Sequence, residues 1–300
     1  MTLTSAYSIA PADQKFSDEA PRQRQNAESG VDSSTFGEGV RLLPDALQED
    51  VRRLYYVLRT IDDLVDENQP DAPPRLEAVE RWAEHGVAYT EETAMLDDLA
   101  TRHPLDRAAA LEFCAGMRHD LDGGTIENEA ELERYCQQAG GTVGVLLSAV
   151  LGATTRSCAV GMAVLGRAMQ RTNILRDIDE DYDNGRVYIA KSTIRRYGAP
   201  LPGSRERLLR DQIARADALY ERGLPAIDRL ADGRAAMGLA TALYREILRE
   251  IERCGYGREA GPVTIPEHRK RSLLERFTGR RASPDSDAVD KGTKRSVPED

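Results

Sequence analysis

Apolar residues recur along the chain at the spacing of an α-helix. The clearest stripe belongs to a helix that we expect to begin at Pro44-Asp45 and to end before Gln69-Pro70; it consists of Leu47, Val51, Leu54, Tyr55 and Leu58. The same spacing predicts further helices over about 75–87, 91–102, 106–120, 129–152, 157–182, 204–232 and 234–254. Residues 183–203 are rich in Gly and Pro and predict mostly loop. No segment shows the alternation of a half-buried strand, so the pattern predicts an all-α protein.

The two ends of the chain lack this periodicity. Residues 1–32 are polar and rich in Ala, Ser, Gln and Pro, and the last twenty or so residues are similar in character. Segments of this composition bury too little apolar surface to fold by themselves. We therefore expect disordered segments over 1–32 and 280–300 around a single folded domain over residues 33–279.

One uncharged stretch, Gln137–Thr155, approaches the length of a membrane span. It begins with two glutamines and lies in a chain with a mean hydropathy of −0.53. It also contains four glycines, Gly140, Gly141, Gly144 and Gly152. These features favour a buried, kinked helix of a soluble protein over a transmembrane segment.

The charge balance limits the classes of partner. The chain has 41 Lys and Arg residues against 51 Asp and Glu residues, a formal charge of −10. A general nucleic-acid-binding protein needs a net basic surface, so we expect no nucleic-acid partner. An anionic small substrate is compatible with this charge, because metal ions and local arginines can reverse the field inside one cleft.

The cysteines and the N-terminus indicate the compartment. Cys114, Cys136, Cys158 and Cys254 form no CxxC pair and no cluster with zinc spacing, and we interpret them as reduced thiols in the core. The N-terminus lacks the basic-then-apolar pattern of a signal peptide, which predicts a cytoplasmic location.

Two acidic segments carry the candidate chemistry. The first reads RTIDDLVDE and contains Asp62 and Asp66; the second reads QRTNILRDIDED and contains Asp177 and Asp181. In each pair the aspartates are four residues apart, which places both carboxylates on one face of a helix. Like charges at this spacing repel, and Mg²⁺ would neutralise them while filling its other positions with water and phosphate oxygens. Two such helices facing each other predict a Mg²⁺ site around a diphosphate.

Acidic pairs of this kind also occur on solvated helix faces. Three features favour the metal–diphosphate interpretation. Each pair follows an apolar helical stripe, each has an arginine close by, Arg59 or Arg176, and each acidic cluster ends at a loop signal. From the residues alone both interpretations stay open.

The chain resembles the squalene/phytoene synthase family, which includes squalene, dehydrosqualene, presqualene diphosphate and phytoene synthases. The segments that carry the resemblance are YxxxRTIDDLVDE, YCQQAGGTVG and QRTNILRDIDEDYDNGRVYIA, and the similarity extends over about residues 35–270. It implies a single-domain helical bundle of the isoprenoid-synthase type around a central substrate channel. The two acidic motifs would face each other across the mouth of this channel.

The resemblance also implies roles for individual residues. It implies Mg²⁺ ligands at Asp62, Asp66, Asp177 and Asp181. It implies catalytic functions for Tyr135, Arg59 and Asp120. It implies substrate contacts at Thr35, Phe36, Arg59, Gln170, Asn173, Arg176 and Tyr188.

Some residues near these motifs have simpler interpretations. Tyr135 also fits an ordinary buried tyrosine, and Asp120 also fits an acid on a helix surface. His119 and Trp82 are interpreted as structural. Arg171 replaces an apolar residue of many relatives, and it either extends to the surface or reshapes the pocket.

The chain departs from the family pattern at two places. The stretch after Tyr135-Cys136 reads QQAG instead of a sequence with an aromatic residue and Val-Ala-Gly, so the pocket wall is altered. Near the end, Gly261-Pro262 lies where relatives commonly carry Arg-Val, with Arg269 and Lys270 following. One arginine that binds diphosphate is therefore missing from the pattern, which bears on the binding of a second diphosphate.

The leading hypothesis is a Mg²⁺-dependent head-to-head prenyltransferase. It would condense two C15 or C20 prenyl diphosphates, through a cyclopropylcarbinyl diphosphate, to a squalene- or phytoene-type product. The departures motivate an alternative, a one-substrate terpene synthase that ionises a single prenyl diphosphate and cyclises or quenches it. A third hypothesis, a non-catalytic helical partner of a related synthase, is disfavoured by the intact acidic motifs.

Further expectations concern cofactors and surroundings. No GxGxxG motif follows a strand, so the sequence does not indicate NADPH, and NADPH use stays open. We expect prenyl diphosphates as ligands and no transmembrane segment. Peripheral membrane contact during product release is compatible with these expectations.

Overall fold

A computed structural model of the chain describes residues 36–279. The disorder expected over 1–32 and 280–300, and the substrate contact expected at Thr35, lie outside these residues. Within 36–279 the chain forms thirteen α-helices, one π-helical turn and one 3₁₀ turn, and no strand. The all-α prediction is therefore confirmed.

The helices follow one another with short connections. They are α1 (Gly37–Val40), α2 (Asp45–Asp66), α3 (Ala72–His85), α4 (Glu91–Arg102), α5 (Arg107–Leu121), α6 (Glu129–Cys136), α7 (Thr142–Val150), α8 (Arg156–Arg176), α9 (Ile178–Asp183), α10 (Lys191–Tyr197), α11 (Glu206–Gly223), α12 (Arg234–Arg253) and α13 (Glu267–Thr278). The π-helical turn, Gln137–Gly141, joins α6 to α7, and the 3₁₀ turn, Leu224–Arg229, follows α11.

Side-chain caps fix the start of several helices. Thr90 accepts a hydrogen bond from the Thr93 amide at the start of α4, and Thr155 accepts one from the Cys158 amide at the start of α8. Asp106 and Asn128 cap α5 and α6 in the same way. These caps satisfy amides that the first turn of a helix leaves unpaired, which explains why the predicted boundaries at these ends are close to the observed ones.

Helix α8 lies at the centre of the molecule. It packs against α6, α7 and the π-helical turn on one side and against α11, the 3₁₀ turn and α12 on the other. At the first contact Gly140 and Gly166 face each other so closely that a methyl group on either would overlap the backbone of the other. Such an approach is open only to glycine, and it brings α8 directly against the segment that carries Tyr135.

The uncharged stretch is helical up to Val150, with buried and half-buried side chains, whereas residues 151–155 lie outside the helix. Helix α6 continues through the π-helical turn into α7, and the extra residue of such a turn is a common cause of a kink. Between Phe36 and Gly279, no helix combines the length and apolar character that crossing a bilayer requires.

Several predicted boundaries were wrong. The helix predicted over 157–182 breaks at Asp177, and the helix predicted over 204–232 ends at Gly223, where Pro225 lies in a 3₁₀ turn. The segment 183–203 contains α10, whose amides at Lys191 and Ser192 bond to the chain just before α6. Helices α1 and α13 were not predicted.

Three of the cysteines are buried thiols, as expected. Cys114, Cys136 and Cys158 have no exposed surface, and none is in a disulfide. Cys254 is exposed, so its prediction as a core thiol was wrong. It follows the last residue of α12, where the chain leaves the core.

Candidate active site

A cavity of about 310 Å³ lies among α2, α5, α7, α8 and α12. Eleven of the predicted site residues line it: Phe36, Arg59, Asp62, Asp66, Tyr135, Gln170, Asn173, Arg176, Asp177, Asp181 and Tyr188. Of the other two, Asp120 contacts lining residues without lining the cavity itself, and Thr35 lies outside the described residues. The structure thus brings together residues that the chain separates by more than a hundred positions.

The cavity has a polar end and an apolar end. In α2 the lining residues are apolar from Val51 to Leu58 and charged from Arg59 to Asp66, and α8 shows the same order from Met162 to Asp177. Because a helix rises about 1.5 Å per residue, the apolar start of each wall lies some 20 Å from its acidic end. Phe113, Val143, Leu147 and Met237 complete the apolar part. This arrangement suits a molecule with a charged head and a long hydrocarbon tail.

The first acidic pair lies on one face of α2, as predicted. Both Asp62 and Asp66 line the cavity. Arg59 donates to the Asp62 carboxylate at 2.9 Å and contacts that of Asp63 at 2.6 Å. The arginine therefore partly neutralises the acidic cluster from within the same helix.

The second acidic pair is not on one continuous helix, so that part of the prediction was wrong. Asp177 is the residue between α8 and α9, and Asp181 lies in α9. The amide of Asp181 donates to the carbonyl oxygen of Asp177 at 2.8 Å, so the two residues still form the hydrogen bond of a helical turn. Arg176 holds the Asp177 carboxylate with two hydrogen bonds of 2.7 Å.

Arg186 joins the two motifs across the cavity. Its guanidinium pairs with the Asp66 carboxylate and donates to the Asp66 carbonyl oxygen at 3.0 Å. This residue lines the cavity but was not predicted as a site residue. The signal that could have identified it is its position in the GRVY sequence after the second motif, two residues before Tyr188. Tyr244 also lines the cavity and was missed, because the surrounding sequence of α12 shows only a helical stripe.

Burial and repulsion between like charges disfavour ionised aspartates at the polar end. Burial, followed by the charge of Asp66, raises the pKa of Asp62 to about 7. Burial, followed by the charges of Asp177 and Asp66, raises the pKa of Asp181 to about 7. The Asp62 side chain is still 36% exposed, and we interpret this surface as facing the cavity rather than bulk water.

This electrostatic situation fits divalent cations. Among residues 36–279 no group of three or more His, Cys, Asp or Glu side chains is arranged as a complete metal site. The carboxylates instead form two pairs that repel internally, and a cation that takes one or two carboxylates and completes its shell with phosphate oxygens and water matches such pairs.

Tyr135, Tyr188 and Asp120 form a hydrogen-bonded cluster beside the acidic end. The hydroxyl groups of Tyr135 and Tyr188 donate to the two oxygens of the Asp120 carboxylate at 3.0 and 3.2 Å, and the two rings stack with centroids 5.1 Å apart. Burial is the main cause of a raised pKa in all three groups. It raises the pKa of Asp120 to about 6 and the pKa of both phenols above the usual value. Asp120 is therefore not a free surface acid.

Other neighbouring residues have structural contacts. Trp82 is fully buried and donates its indole N–H to Asp97 at 3.1 Å, which agrees with a structural role. The His119 ring packs 5.7 Å from that of Tyr135. Phe36 stacks on Tyr55 at the cavity wall.

Arg171 does neither of the two things considered for it. Its side chain is 1% exposed and does not line the cavity, so it neither extends to the surface nor reshapes the pocket directly. It lies in a buried ion-pair network behind α8 with Glu129 and Glu133 of α6.

Between Tyr244 and Gly279 no arginine lines the cavity wall. The amide of Gly261 donates to Asp179 at 3.1 Å, and both residues line a second pocket. Arg269 pairs with Glu246 and Glu250 of α12. No residue beyond Tyr244, up to Gly279, lines the cavity.

The family model for squalene/phytoene synthases matches residues 31–269 of the chain. The chain belongs to this family. It is 35% identical to the phytoene synthase of Thermus thermophilus over 237 residues, which is 75% of this chain and 81% of that protein. It is 30% identical to the presqualene diphosphate synthase of Zymomonas mobilis over 267 residues, 83% of this chain and 90% of that protein.

A solved structure supports the same membership. A dehydrosqualene synthase in complex with a ligand superimposes with a TM-score of 0.77 at 26% sequence identity, over 87% of this chain and 97% of that chain. The expected isoprenoid-synthase helical fold is therefore confirmed. Squalene/phytoene synthases condense prenyl diphosphates head to head, so the expectation of a prenyltransferase is also confirmed.

Proposed function

We propose that this chain is a Mg²⁺-dependent enzyme that condenses two C15 or two C20 prenyl diphosphates head to head. One substrate loses diphosphate with the electrons of its C–O bond, and the C2–C3 double bond of the second substrate attacks the resulting allylic cation. Loss of a proton then gives a cyclopropylcarbinyl diphosphate, which is released or loses its own diphosphate. In the second case the rearranged cation would lose a proton, or take a hydride from NADPH, to give a linear hydrocarbon. The observation that carries this proposal is a single cavity with carboxylates and arginines at one end and hydrocarbon side chains along the rest.

The metal ions would be held by Asp62, Asp66, Asp177 and Asp181. Bound there, Mg²⁺ would supply Lewis-acid stabilisation of the departing diphosphate. The raised pKa values of Asp62 and Asp181 support this assignment, because a nearby cation favours the ionised carboxylate that burial disfavours.

The arginines at the same end would bind the diphosphate. Arg59, Arg176 and Arg186 line the cavity, and each now pairs with an aspartate of the two motifs. A guanidinium presents several N–H donors in a plane, so it can contact a phosphate oxygen and a carboxylate together. Asn173 and Gln170, about one and two helical turns before Asp177, would contact the substrate next to the diphosphate.

The remaining walls would protect the cation. An apolar, water-poor cavity prevents capture of the carbocation by water. The Asp120–Tyr135–Tyr188 cluster places two phenol oxygens near the acidic end, and these are the polar groups best placed to stabilise a cation or to pass on its proton.

The test is incubation of the purified chain with Mg²⁺ and C15 or C20 prenyl diphosphate, with and without NADPH, followed by mass spectrometry of organic extracts before and after phosphatase treatment. We expect a C30 or C40 product, or the alcohol of its cyclopropyl intermediate.

An Asp177→Asn variant should lose about 100-fold or more in turnover, since loss of about 3 kcal/mol of charge stabilisation has that effect. The control Asp183→Asn, an exposed position on α9 outside the cavity, should keep wild-type turnover.

A second candidate is a one-substrate terpene synthase. The absence of a cavity-lining arginine after Tyr244, up to Gly279, favours it, because less positive charge is left for a second diphosphate. A C15 or C20 product formed faster than in the no-enzyme control, at a rate first order in prenyl diphosphate, would favour this candidate over the head-to-head reaction.

A further inference from the structure

Arg171 occupies an unusual place behind the cavity wall. It lies in α8 between Gln170 and Asn173, which both line the cavity, yet its own side chain is 1% exposed and contacts other helices. It pairs with Glu129 at 3.2 Å and with Glu133 at 2.6 Å, and it also donates to the side-chain oxygen of Gln212. A fully buried guanidinium with two carboxylate partners costs desolvation energy, and a well-packed apolar side chain would often serve stability equally well.

Glu129 extends this network to two further helices. Its carboxylate accepts a hydrogen bond of 2.5 Å from Thr193 of α10 and one of 2.8 Å from Gln212 of α11. Other charged groups also face the network: Arg215, 4.0 Å from Glu129, Arg167, 3.8 Å from Glu133, and Asp211, which accepts a hydrogen bond from Gln212 at 3.1 Å. One buried arginine thus links α8 to α6 and α11 directly, and to α10 through Glu129.

Two of these helices are next to the tyrosines of the cavity. Tyr135 lies in α6, two residues after Glu133. Tyr188 precedes α10 by three residues, and the amides of Lys191 and Ser192 bond to the carbonyl oxygens of Ile126 and Glu127 just before α6. The segments that carry Tyr135 and Tyr188 are therefore attached to each other and, through Glu129 and Glu133, to Arg171.

We propose that Arg171 is a positioning residue for the reaction. Its ion pairs with Glu129 and Glu133 fix α6 and α10 against α8, and so hold the phenol groups of Tyr135 and Tyr188 in register with Asn173 and Asp177. This inference rests on the proposed function only for its effect on turnover. The link between Arg171 and the two tyrosine segments is a separate physical claim.

The first test measures that link without any substrate. In Arg171→Met, hydrogen exchange followed by mass spectrometry should show loss of protection in peptides covering residues 126–136 and 186–193. Arg171→Lys, which keeps the charge but loses the planar set of donors, should show a smaller loss. The matched control is Arg245→Met, which removes an arginine that links α12 to Asp217 and Glu221 of α11; it should leave both peptides protected.

The second test measures turnover in the same three variants with the prenyl diphosphate that the wild type uses. Arg171→Met should lower kcat by about 10- to 100-fold with KM unchanged, since displacement of groups that act in the transition state lowers kcat. Arg171→Lys should recover part of this loss, and Arg245→Met should match the wild type. If Arg171→Met does not fold, Arg171→Lys against the wild type carries both tests.

Unchanged protection of both peptides in the Arg171 variants would overturn the proposal. So would wild-type kcat in a variant whose two peptides have lost protection, because Arg171 would then be structural only. A wild type that converts no prenyl diphosphate would contradict the proposed function instead, while the exchange experiment would still decide whether Arg171 holds the tyrosine segments.

Discussion

At the scale of single residues, the aspartates that we propose as metal ligands are expected to lower the stability of the metal-free protein. Burial raises the pKa of Asp62 and Asp181 to about 7, with the charges of the neighbouring aspartates as the second cause. Three arginines offset part of this repulsion. A site of this kind is expected to be less stable than one with neutral side chains as long as no cation is bound.

We expect Asp62→Asn to raise the melting temperature of the metal-free protein at pH 8 while lowering turnover by about 100-fold or more. The amide keeps the shape of the side chain and removes one of the repelling charges. Thermal unfolding in the presence of a chelator and the product assay measure the two effects. Asp183→Asn is the control and should change neither; a lower melting temperature in Asp62→Asn would contradict the electrostatic account.

The same groups predict how stability depends on pH. Because the folded-state pKa of Asp62 and Asp181 exceeds the ordinary value of 3.8, the folded protein holds protons that the unfolded chain has released. Their contribution to stability is complete below about pH 4 and is lost as the pH rises through about 7. Metal-free wild type should therefore melt at a lower temperature at pH 8 than at pH 6, and the slope should be smaller in Asp62→Asn. Equal slopes would contradict the prediction.

Much of the site could be predicted at this scale, but only for residues within the motifs. The spacing of Asp62 and Asp66 already indicates a shared face. By contrast, Arg186 acts through an ion pair with Asp66, 120 positions away, and no local pattern reports such a contact. Arg171 was misjudged for the same reason, since its two glutamate partners lie on another helix.

At the scale of helices, α6, the π-helical turn and α7 together form one wall of the cavity. The glycines of the π-helical turn allow α8 to approach backbone to backbone, and Gly140 contacts Gly166 there. Tyr135 of α6 and Ala139 of the turn line the cavity, whereas Cys136 is fully buried and does not line it. Small changes at this contact should therefore alter both the stability of the protein and the shape of the cavity.

We expect Gly166→Ala to destabilise the protein by about 1–3 kcal/mol or more, because the added methyl group would overlap the carbonyl oxygen of Gly140, which is backbone and cannot turn aside. Urea unfolding measures this change. Val160→Ala, an exposed substitution in the same helix, should stay within about 0.5 kcal/mol of the wild type. A neutral Gly166→Ala would show that α8 and the π-helical turn can separate at little cost.

Helices with a long apolar stripe could be predicted from the sequence, as for α2, α4 and α12. Helices that depend on contacts with distant parts of the chain could not be predicted from the sequence. Helix α10 has seven residues in a segment rich in turn signals, and it is held by Thr193 and by amide bonds to the residues before α6. The break at Asp177 was also missed, since the residues on both sides of it are compatible with a helix.

At the scale of the whole molecule, the cavity exists only because helices distant in sequence converge. Its polar end joins α2, the α8–α9 junction and the segment before α10. Arg186, in that last segment, pairs with Asp66 of α2, and its amide donates to the carbonyl oxygen of Asp181 in α9. A ligand that bridges the two acidic motifs would bind the folded protein and not the unfolded chain, so it should stabilise the entire fold.

We expect Mg²⁺ together with inorganic diphosphate to raise the melting temperature by about 5–10 °C at a hundredfold excess over the dissociation constant, a gain of about 2.7 kcal/mol. Mg²⁺ alone or diphosphate alone should give a smaller shift, since each needs the other to neutralise the site. Differential scanning fluorimetry measures this. The shift should disappear in Asp177→Asn and persist in Asp183→Asn; a shift retained in Asp177→Asn would place the ligand elsewhere.

The glycine contact between α8 and the π-helical turn also restricts how this protein can diverge. A methyl group cannot be added at Gly140, Gly144 or Gly166 unless a neighbouring backbone moves, so single substitutions in this part of the wall should be disfavoured. Met169 and Met237 line the same cavity with flexible side chains that tolerate exchange. Variants adapted to longer or shorter hydrocarbon chains should therefore accumulate substitutions at the methionines and leave the glycines unchanged.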